Sequence, residues 1–166
     1  MNGDWSFTGK HLGRYIAGVS QPLAGPPAYV TMSSLSALNV LLVDDNQHMR
    51  TIASAVLKSA GVGSVREAAD GGAALEMLRE YPIDLAIVDF NMFPLDGVEF
   101  TRLVRNSPDS ANPYLPIIMM TGHSAKRRVF EARDAGVTEF LVKPITAKAV
   151  LDRIQAVIFH ARPFVR

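Results

Sequence analysis

The chain has 166 residues, of which 48% are hydrophobic, so it can bury the core of one ordinary domain but has no room for two of typical size. Its 17 Lys and Arg side chains nearly balance 16 Asp and Glu, which argues against nucleic acid or a membrane surface as a direct partner. The sequence contains no cysteine, which excludes disulfides, thiolate metal sites and cysteine nucleophiles.

The first 36 residues are rich in Gly, Pro and Ser, and the run Gly25-Pro26-Pro27 is incompatible with regular structure. We expect residues 1–36 to be a disordered leader or extension, residues 37–161 to form the folded domain, and residues 162–166 to be a short tail. No apolar run approaches the roughly 18 to 20 residues that span a bilayer, and the N-terminus does not resemble a secretory signal. The sequence therefore predicts a cytoplasmic protein.

From residue 39 onward, short apolar runs alternate with stretches of helical periodicity, which is typical of a parallel α/β sheet. We predict strands at about residues 39–43, 64–68, 84–88, 116–120 and 138–142. Five helices are predicted near residues 47–60, 71–80, 96–106, 124–135 and 146–160. Gly61 and Gly136 follow two of these helices, where glycine readily adopts the left-handed conformation that ends a helix. The proline-containing stretch 106–116 is expected to be a loop.

Polar side chains stand at the ends of four of the five predicted strands. Asp44 and Asp45 follow the first strand, and Asp89 follows the third. The fourth strand is followed by Thr121, and the fifth ends at Lys143. Because right-handed crossovers bring the carboxyl ends of parallel strands to one edge of the sheet, we expect these side chains to form a single site there.

The chemistry of this cluster suits a phosphoryl group. Three carboxylates that lie close together repel one another, and a divalent cation is the usual means of keeping them ionised. Hard oxygen ligands favour Mg²⁺, which commonly also binds a phosphate oxygen of the substrate. A carboxylate can accept the phosphoryl group as an aspartyl phosphate, while Lys143 neutralises its oxygens and Thr121 donates a hydrogen bond to one of them.

From about Val40 to His160, the sequence resembles the receiver domains of bacterial two-component systems. The motifs that carry this resemblance are Leu42-Val43-Asp44-Asp45, Ile87-Val88-Asp89, Met92, Asp96-Gly97, Met120-Thr121-Gly122 and Phe140-Leu141-Val142-Lys143-Pro144. The resemblance implies a flavodoxin-like, doubly wound five-stranded parallel sheet of order 2-1-3-4-5 with helices on both faces. It also implies that Asp89 is the phosphoacceptor, that Asp44, Asp45, Asp89 and the backbone carbonyl of Asn91 hold Mg²⁺, and that Thr121 and Lys143 bind the phosphoryl group.

The implied function is that of a single-domain response regulator. A histidine kinase or histidine phosphotransfer protein would phosphorylate Asp89, and the only catalysis would be self-catalysed phosphotransfer and autodephosphorylation. Thr121 and Phe140 would form the switch pair. The face built from the fourth predicted helix, the fifth strand and the fifth helix would bind a downstream protein. After Lys143, only one helix and a short tail follow, so no output domain is expected.

Four features depart from the family pattern or place additional polar groups near the site. Met92 is followed by Phe93, and the proline that commonly follows this methionine comes one place later, which leaves the position of the Asn91 carbonyl open. Gly122 stands where alanine is common. His123 follows it and is expected to be a solvated residue at the start of a helix, although an imidazole there could alter the phosphoryl lifetime. The basic run 126–128 is expected to be a solvated helix face rather than a nucleic-acid patch.

Taken one at a time, these residues have ordinary structural explanations. Asp45 or Asn46 would serve as a helix N-cap, and Thr121 would be a β-former at a strand end. Their coincidence at four strand ends, in the right order, favours the phosphoacceptor. The alternatives are a phosphorylation-independent pseudo-receiver that only binds proteins, and an aspartate-dependent phosphatase. The adjacent pair Asp44-Asp45, in place of the Asp-x-Asp arrangement of such phosphatases, disfavours the latter.

Overall fold

The computed structural model describes residues 32–122 and 128–159, and its centre is a five-stranded parallel sheet. The strands are β1 (Asn39–Val43), β2 (Ser64–Ala68), β3 (Leu85–Asp89), β4 (Ile117–Thr121) and β5 (Glu139–Val142). Their order in the sheet is β2-β1-β3-β4-β5, which confirms the predicted topology. The third and fourth strands begin and end one residue later than predicted. Asp89 still pairs with Met120, and Thr121 still pairs with Val142, so each strand includes its final polar residue. Asp89 and Thr121 are therefore the last residues of their strands rather than the first of the loops.

Six helices are described in residues 32–122 and 128–159. They are α1 (Met32–Ser36), α2 (Gln47–Ser59), α3 (Gly71–Glu80), α4 (Gly97–Asn106), α5 (Val129–Ala135) and α6 (Ala147–Phe159). The five predicted helices correspond to α2 through α6, and the predicted start of α5, at residues 124–127, lies outside the described residues. Within the described part of the chain, every helix is too short or too polar to cross a bilayer.

Helices cover both faces of the sheet, and the strands alternate their side chains between the two layers. On one face, α1, α2 and α6 pack over a core that includes Leu42, Leu57, Ile118 and Ile154. On the other face, α3 and α4 cover a second apolar cluster, and α4 and α5 cover a third. The second cluster includes Phe100, and the third includes Phe90. β3 and β4 are buried along their whole length, so the carboxyl ends of these central strands are held rigidly.

The helix α1 corrects the predicted boundary of the folded domain. It lies inside the stretch that we expected to be a leader, and Leu35 and Leu38 are both buried in the core under α2 and α6. The backbone N–H of Gly63 donates to the Leu35 carbonyl, at 3.2 Å, and a Cβ on this glycine would collide with the backbone of Ser36. Residues 32–36 therefore belong to the fold, whereas the predictions for residues 1–31 and for the 162–166 tail lie outside the described residues.

The ends of the helices follow the predicted capping chemistry. Asn46 caps α2, since its side chain accepts a hydrogen bond from the Met49 N–H at 3.1 Å. Gly61 and Gly136 have φ angles of 103° and 102°, as predicted for left-handed residues that follow helices. The partly buried Arg105 guanidinium donates to the Gly136 and Pro113 carbonyls, so it ties the loop between α4 and β4 to the end of α5.

Candidate functional site

The sheet brings the predicted site residues to one edge. Asp44 and Asp45 directly follow β1, and Asp89 ends the adjacent strand β3. Thr121 ends β4, and Lys143 directly follows β5. All four strands are parallel, so their carboxyl ends point the same way, and the clustering predicted from the topology is present.

In the loop after β1, some polar residues stabilise the helix that follows and others belong to the site. The buried Asp44 accepts a hydrogen bond from the Asn46 N–H through Oδ1 at 2.9 Å. Because Asn46 supplies the N-cap of α2, the exposed Asp45 carboxylate does not cap the helix. Instead, its Oδ2 accepts a hydrogen bond from the Phe93 N–H at 3.2 Å. Asp45 therefore links the loop after β1 to the loop after β3.

Lys143 is the cation of the site. Its Nζ lies 2.6 Å from Asp89 Oδ1 and 3.7 Å from Asp44 Oδ2. The first distance is that of a short charge-assisted hydrogen bond, and the second is an ion pair without one. One ammonium therefore faces two buried carboxylates, and their negative charge is only half compensated.

The environment of Asp89 raises the pKa of its carboxyl. Burial raises the pKa of this carboxyl, the hydrogen bond and charge of Lys143 lower it, and the neighbouring Asp44 raises it again. The net result is a pKa above the ordinary value of 3.8. A further positive charge at this edge would stabilise the ionised form, which is the form that can act as a nucleophile.

The three carboxylates fit a magnesium ion. One oxygen from each of Asp44, Asp45 and Asp89 can be chosen so that all three lie within 4.8 Å of one another. The buried Asp44 Oδ2 has no hydrogen-bond donor among the described residues, so a ligand atom remains available there. Mg²⁺ sites in proteins have all-oxygen ligands, typically one or two carboxylates completed by waters and phosphate oxygens, and this cluster can supply such carboxylates. No observed contact bears on the Asn91 carbonyl, and its role as a ligand stays a prediction.

Thr121 and Phe140 lie on the same face of neighbouring strands. Phe140 pairs with Met119 across β4 and β5, and Thr121 is two residues beyond Met119, so the pleat directs both side chains to the α5 side. Thr121 is buried, and the partly buried Phe140 packs against the third apolar cluster. This arrangement is compatible with the predicted switch pair, whose movement stays a prediction.

The contacts of two arginines near the site were not predicted from the sequence. The Arg50 guanidinium donates to the Asp44 backbone carbonyl at 2.8 Å and lies 3.7 Å from Glu67, which fixes the chain just before Asp45. Arg128 was predicted to belong to a solvated face, and its side chain is 41% exposed, but it also pairs with Asp96 at the start of α4 at 2.8 Å. The other residues of that basic run and His123 lie outside the described residues.

Fold and site together define a class of protein: a doubly wound α/β domain with an acidic cluster and one lysine at the carboxyl edge of its sheet. The family model for the response regulator receiver domain matches residues 40–155. The chemotaxis protein CheY of Pseudomonas aeruginosa is 34% identical over 120 residues, which cover 72% of this chain and 95% of that protein. The chemotaxis protein CheY-3 of Vibrio cholerae is 32% identical, with 72% and 91% covered.

Solved structures agree with these sequence relatives. Chemotaxis protein CheY4 of Vibrio cholerae superposes with a TM-score of 0.65 at 35% identity, covering 72% of this chain and 98% of that one. A response regulator receiver domain protein from Clostridium thermocellum gives a TM-score of 0.65 at 26% identity, covering 73% and 94%. The chain belongs to the response regulator receiver domain family. Within that family, it resembles the chemotaxis regulators.

Proposed function

We propose that this protein accepts a phosphoryl group on Asp89 from a histidine kinase or a histidine phosphotransfer protein and signals by phosphorylation-dependent protein binding. The observation that carries the proposal is the 2.6 Å contact between Lys143 and Asp89 inside a cluster of three carboxylates. A phosphoryl group on Asp89 would lie within reach of that ammonium, which supplies the positive charge that the transfer needs.

In the proposed reaction, an Asp89 carboxylate oxygen attacks the phosphorus of a phosphohistidine. The new P–O bond forms as the P–N bond breaks, and the histidine nitrogen leaves with the bond electrons. Lys143 stabilises the oxygens of the phosphoryl group throughout, and the Thr121 hydroxyl donates to one of them. When Mg²⁺ is bound by Asp44, Asp45 and Asp89, it neutralises the charge that the carboxylates and the phosphoryl oxygens share.

The alternative functions are less well supported. A pseudo-receiver that binds proteins without phosphorylation would have no need for Lys143 so close to Asp89 or for three converging carboxylates. A phosphatase that uses an Asp-x-Asp pair after the first strand would lack its second acid here, since Asp44 is followed directly by Asp45 and then by Asn46.

For the downstream partner, we propose the face formed by α5, β5 and α6. Two large apolar side chains are exposed there, Phe130 on α5 at 63% and Val142 on β5 at 50%. A protein partner can bury such side chains when it docks. Neither nucleic acid nor a membrane is proposed as a partner, and the cytoplasmic location stays a prediction.

Incubation with acetyl phosphate and Mg²⁺, followed by intact-mass spectrometry, tests the phosphoacceptor. We expect the wild-type protein to gain the mass of one phosphoryl group and Asp89→Asn to gain none. Asp152→Asn, at an exposed position on α6, is the matched control and should behave as wild type. Equal labelling of Asp89→Asn and wild type would overturn the proposal.

A further inference from the structure

Arg128 makes three contacts at the start of α5. Its guanidinium lies 2.8 Å from Asp96 Oδ2 and 3.2 Å from Glu131 Oε2, and its central carbon is 4.6 Å from the centre of the Phe90 ring. Partial burial raises the pKa of Asp96, but the Arg128 hydrogen bond and charge together with the Glu99 backbone N–H lower it by more, so that the net pKa is below the ordinary value. The ion pair is therefore fully charged near neutral pH.

The partners of Arg128 belong to different parts of the fold. Asp96 is the N-cap of α4 and forms a reciprocal capping box with Glu99. Phe90 directly follows the proposed phosphoacceptor Asp89. Arg128 thus connects the start of α5 with the start of α4 and with the residue next to the site.

Through Phe90, Arg128 also contacts the apolar cluster against which Phe140 of the predicted switch pair packs. Phe90 is buried in the third apolar cluster together with Met119 of β4 and Ala132 of α5, and Phe140 packs against that cluster. A shift of α5 relative to α4 would therefore disturb both the Arg128 contacts and the surroundings of Phe140. Thr121 lies two residues after Met119 on the same face of β4, so movement of the β4 end would also disturb the packing of this cluster against α5.

We propose that the Arg128–Asp96 ion pair is a latch that holds the start of α5 against α4 in the unphosphorylated protein and that the phosphorylated state weakens it. This inference rests on the proposed function, because a phosphoryl group on Asp89 would draw Thr121 toward itself and disturb the packing between the end of β4 and α5. The latch consequently opposes the phosphorylated conformation, and its loss favours that conformation.

Beryllofluoride, a mimic of the phosphoryl group, provides the test. The wild-type protein, Asp96→Asn, Arg128→Gln and the double variant are titrated at fixed Mg²⁺ while the Thr121 and Gly122 amide resonances are followed. We expect each single variant to bind beryllofluoride about two- to fivefold more tightly, the range of a partly exposed ion pair. The double variant should gain no more than either single one, because both remove the same interaction.

The choice of variants guards against indirect effects. Asp96→Asn keeps an N-cap acceptor for the Glu99 N–H, so α4 keeps its capping, and Arg128→Gln removes the other partner of the ion pair. Asp134→Asn removes an exposed carboxylate of α5 that lies 3.6 Å from Arg133, leaves the Asp96 pair intact and should bind as wild type. Absence of wild-type binding to beryllofluoride would contradict the proposed function. Binding by wild type with unchanged or weaker binding by both latch variants would refute the latch alone.

Discussion

Replacing Lys143 by methionine should destabilise the metal-free protein, since methionine keeps much of the apolar stem and removes the ammonium. Asp89 and Asp44 would then be two buried carboxylates without the cation that lies 2.6 Å and 3.7 Å away from them. Removing one partner of a fully buried ion pair costs roughly 3–5 kcal/mol. The Lys143 side chain is 25% exposed, so solvent screens part of the interaction, and we expect a loss of about 1–3 kcal/mol in the free energy of unfolding.

The size of this loss should depend on pH. Burial already raises the pKa of Asp89 above its ordinary value of 3.8, and removing Lys143 takes away its hydrogen bond and its charge, two of the three interactions that lower this pKa. An acid whose pKa is higher in the folded than in the unfolded protein destabilises the fold progressively as pH rises through the folded pKa. Below the ordinary value, Asp89 is protonated in both states. The deficit of Lys143→Met relative to wild type should therefore be small in acid and grow as pH rises.

Urea unfolding at about pH 5 and about pH 8, with and without Mg²⁺, measures the effect. We expect the larger deficit at the higher pH, and Mg²⁺ should reduce it because the metal replaces the missing positive charge. Lys148→Met is the control, since Lys148 forms an exposed ion pair with Asp152 at 2.9 Å on α6. A deficit equal to that of Lys148→Met, or one that is the same at both pH values, would refute the reasoning.

The remaining predictions concern the metal, the switch and one glycine. Asp45→Asn keeps an acceptor for the loop after β3 but removes a carboxylate, so it should lose most of the stabilisation that Mg²⁺ gives the wild-type protein. For wild type, this stabilisation is about 1.4 kcal/mol when the Mg²⁺ concentration is roughly ten times Kd. Thermal melts in which Mg²⁺ stabilises variant and wild type equally would contradict this prediction. In Thr121→Ala, the amide shifts that beryllofluoride produces on α5, β5 and α6 should fall below half of the wild-type response, and a full response would disprove the coupling. Gly136→Ala should cost about 1–3 kcal/mol in urea unfolding because this residue has a positive φ. Its new Cβ would also lie 2.9 Å from Arg105 Nε, whereas Gly122→Ala faces open space and should be nearly neutral.

The sequence predicts most of the site because topology converts strand ends into neighbours. Once five apolar runs are assigned to a parallel sheet, Asp44, Asp89, Thr121 and Lys143 must meet at one edge, whatever the details of the loops. The short ladder extensions that place Asp89 and Thr121 inside β3 and β4 were not predictable, because backbone pairing with the adjacent strand decides where each strand ends.

The features that the sequence did not predict depend on tertiary contacts. The helix α1 has only five residues, too few to show a periodic pattern, and its burial comes from Leu35 and Leu38 packing under α2 and α6. The Arg128–Asp96 pair joins residues far apart in sequence, so no local pattern reveals it. In contrast, Glu131 lies three residues after Arg128, which directly precedes α5, and pairing at this spacing can be expected from the sequence.

Chemical identification of the phosphorylated residue tests the central claim most directly. Sodium borohydride reduces an aspartyl phosphate to homoserine, so the modified position can be found by peptide mass spectrometry after treatment with acetyl phosphate and Mg²⁺. We predict homoserine at position 89 alone, and none when Mg²⁺ is removed by a chelator. Homoserine at position 44 or 45, with Asp89 recovered intact, would contradict the account.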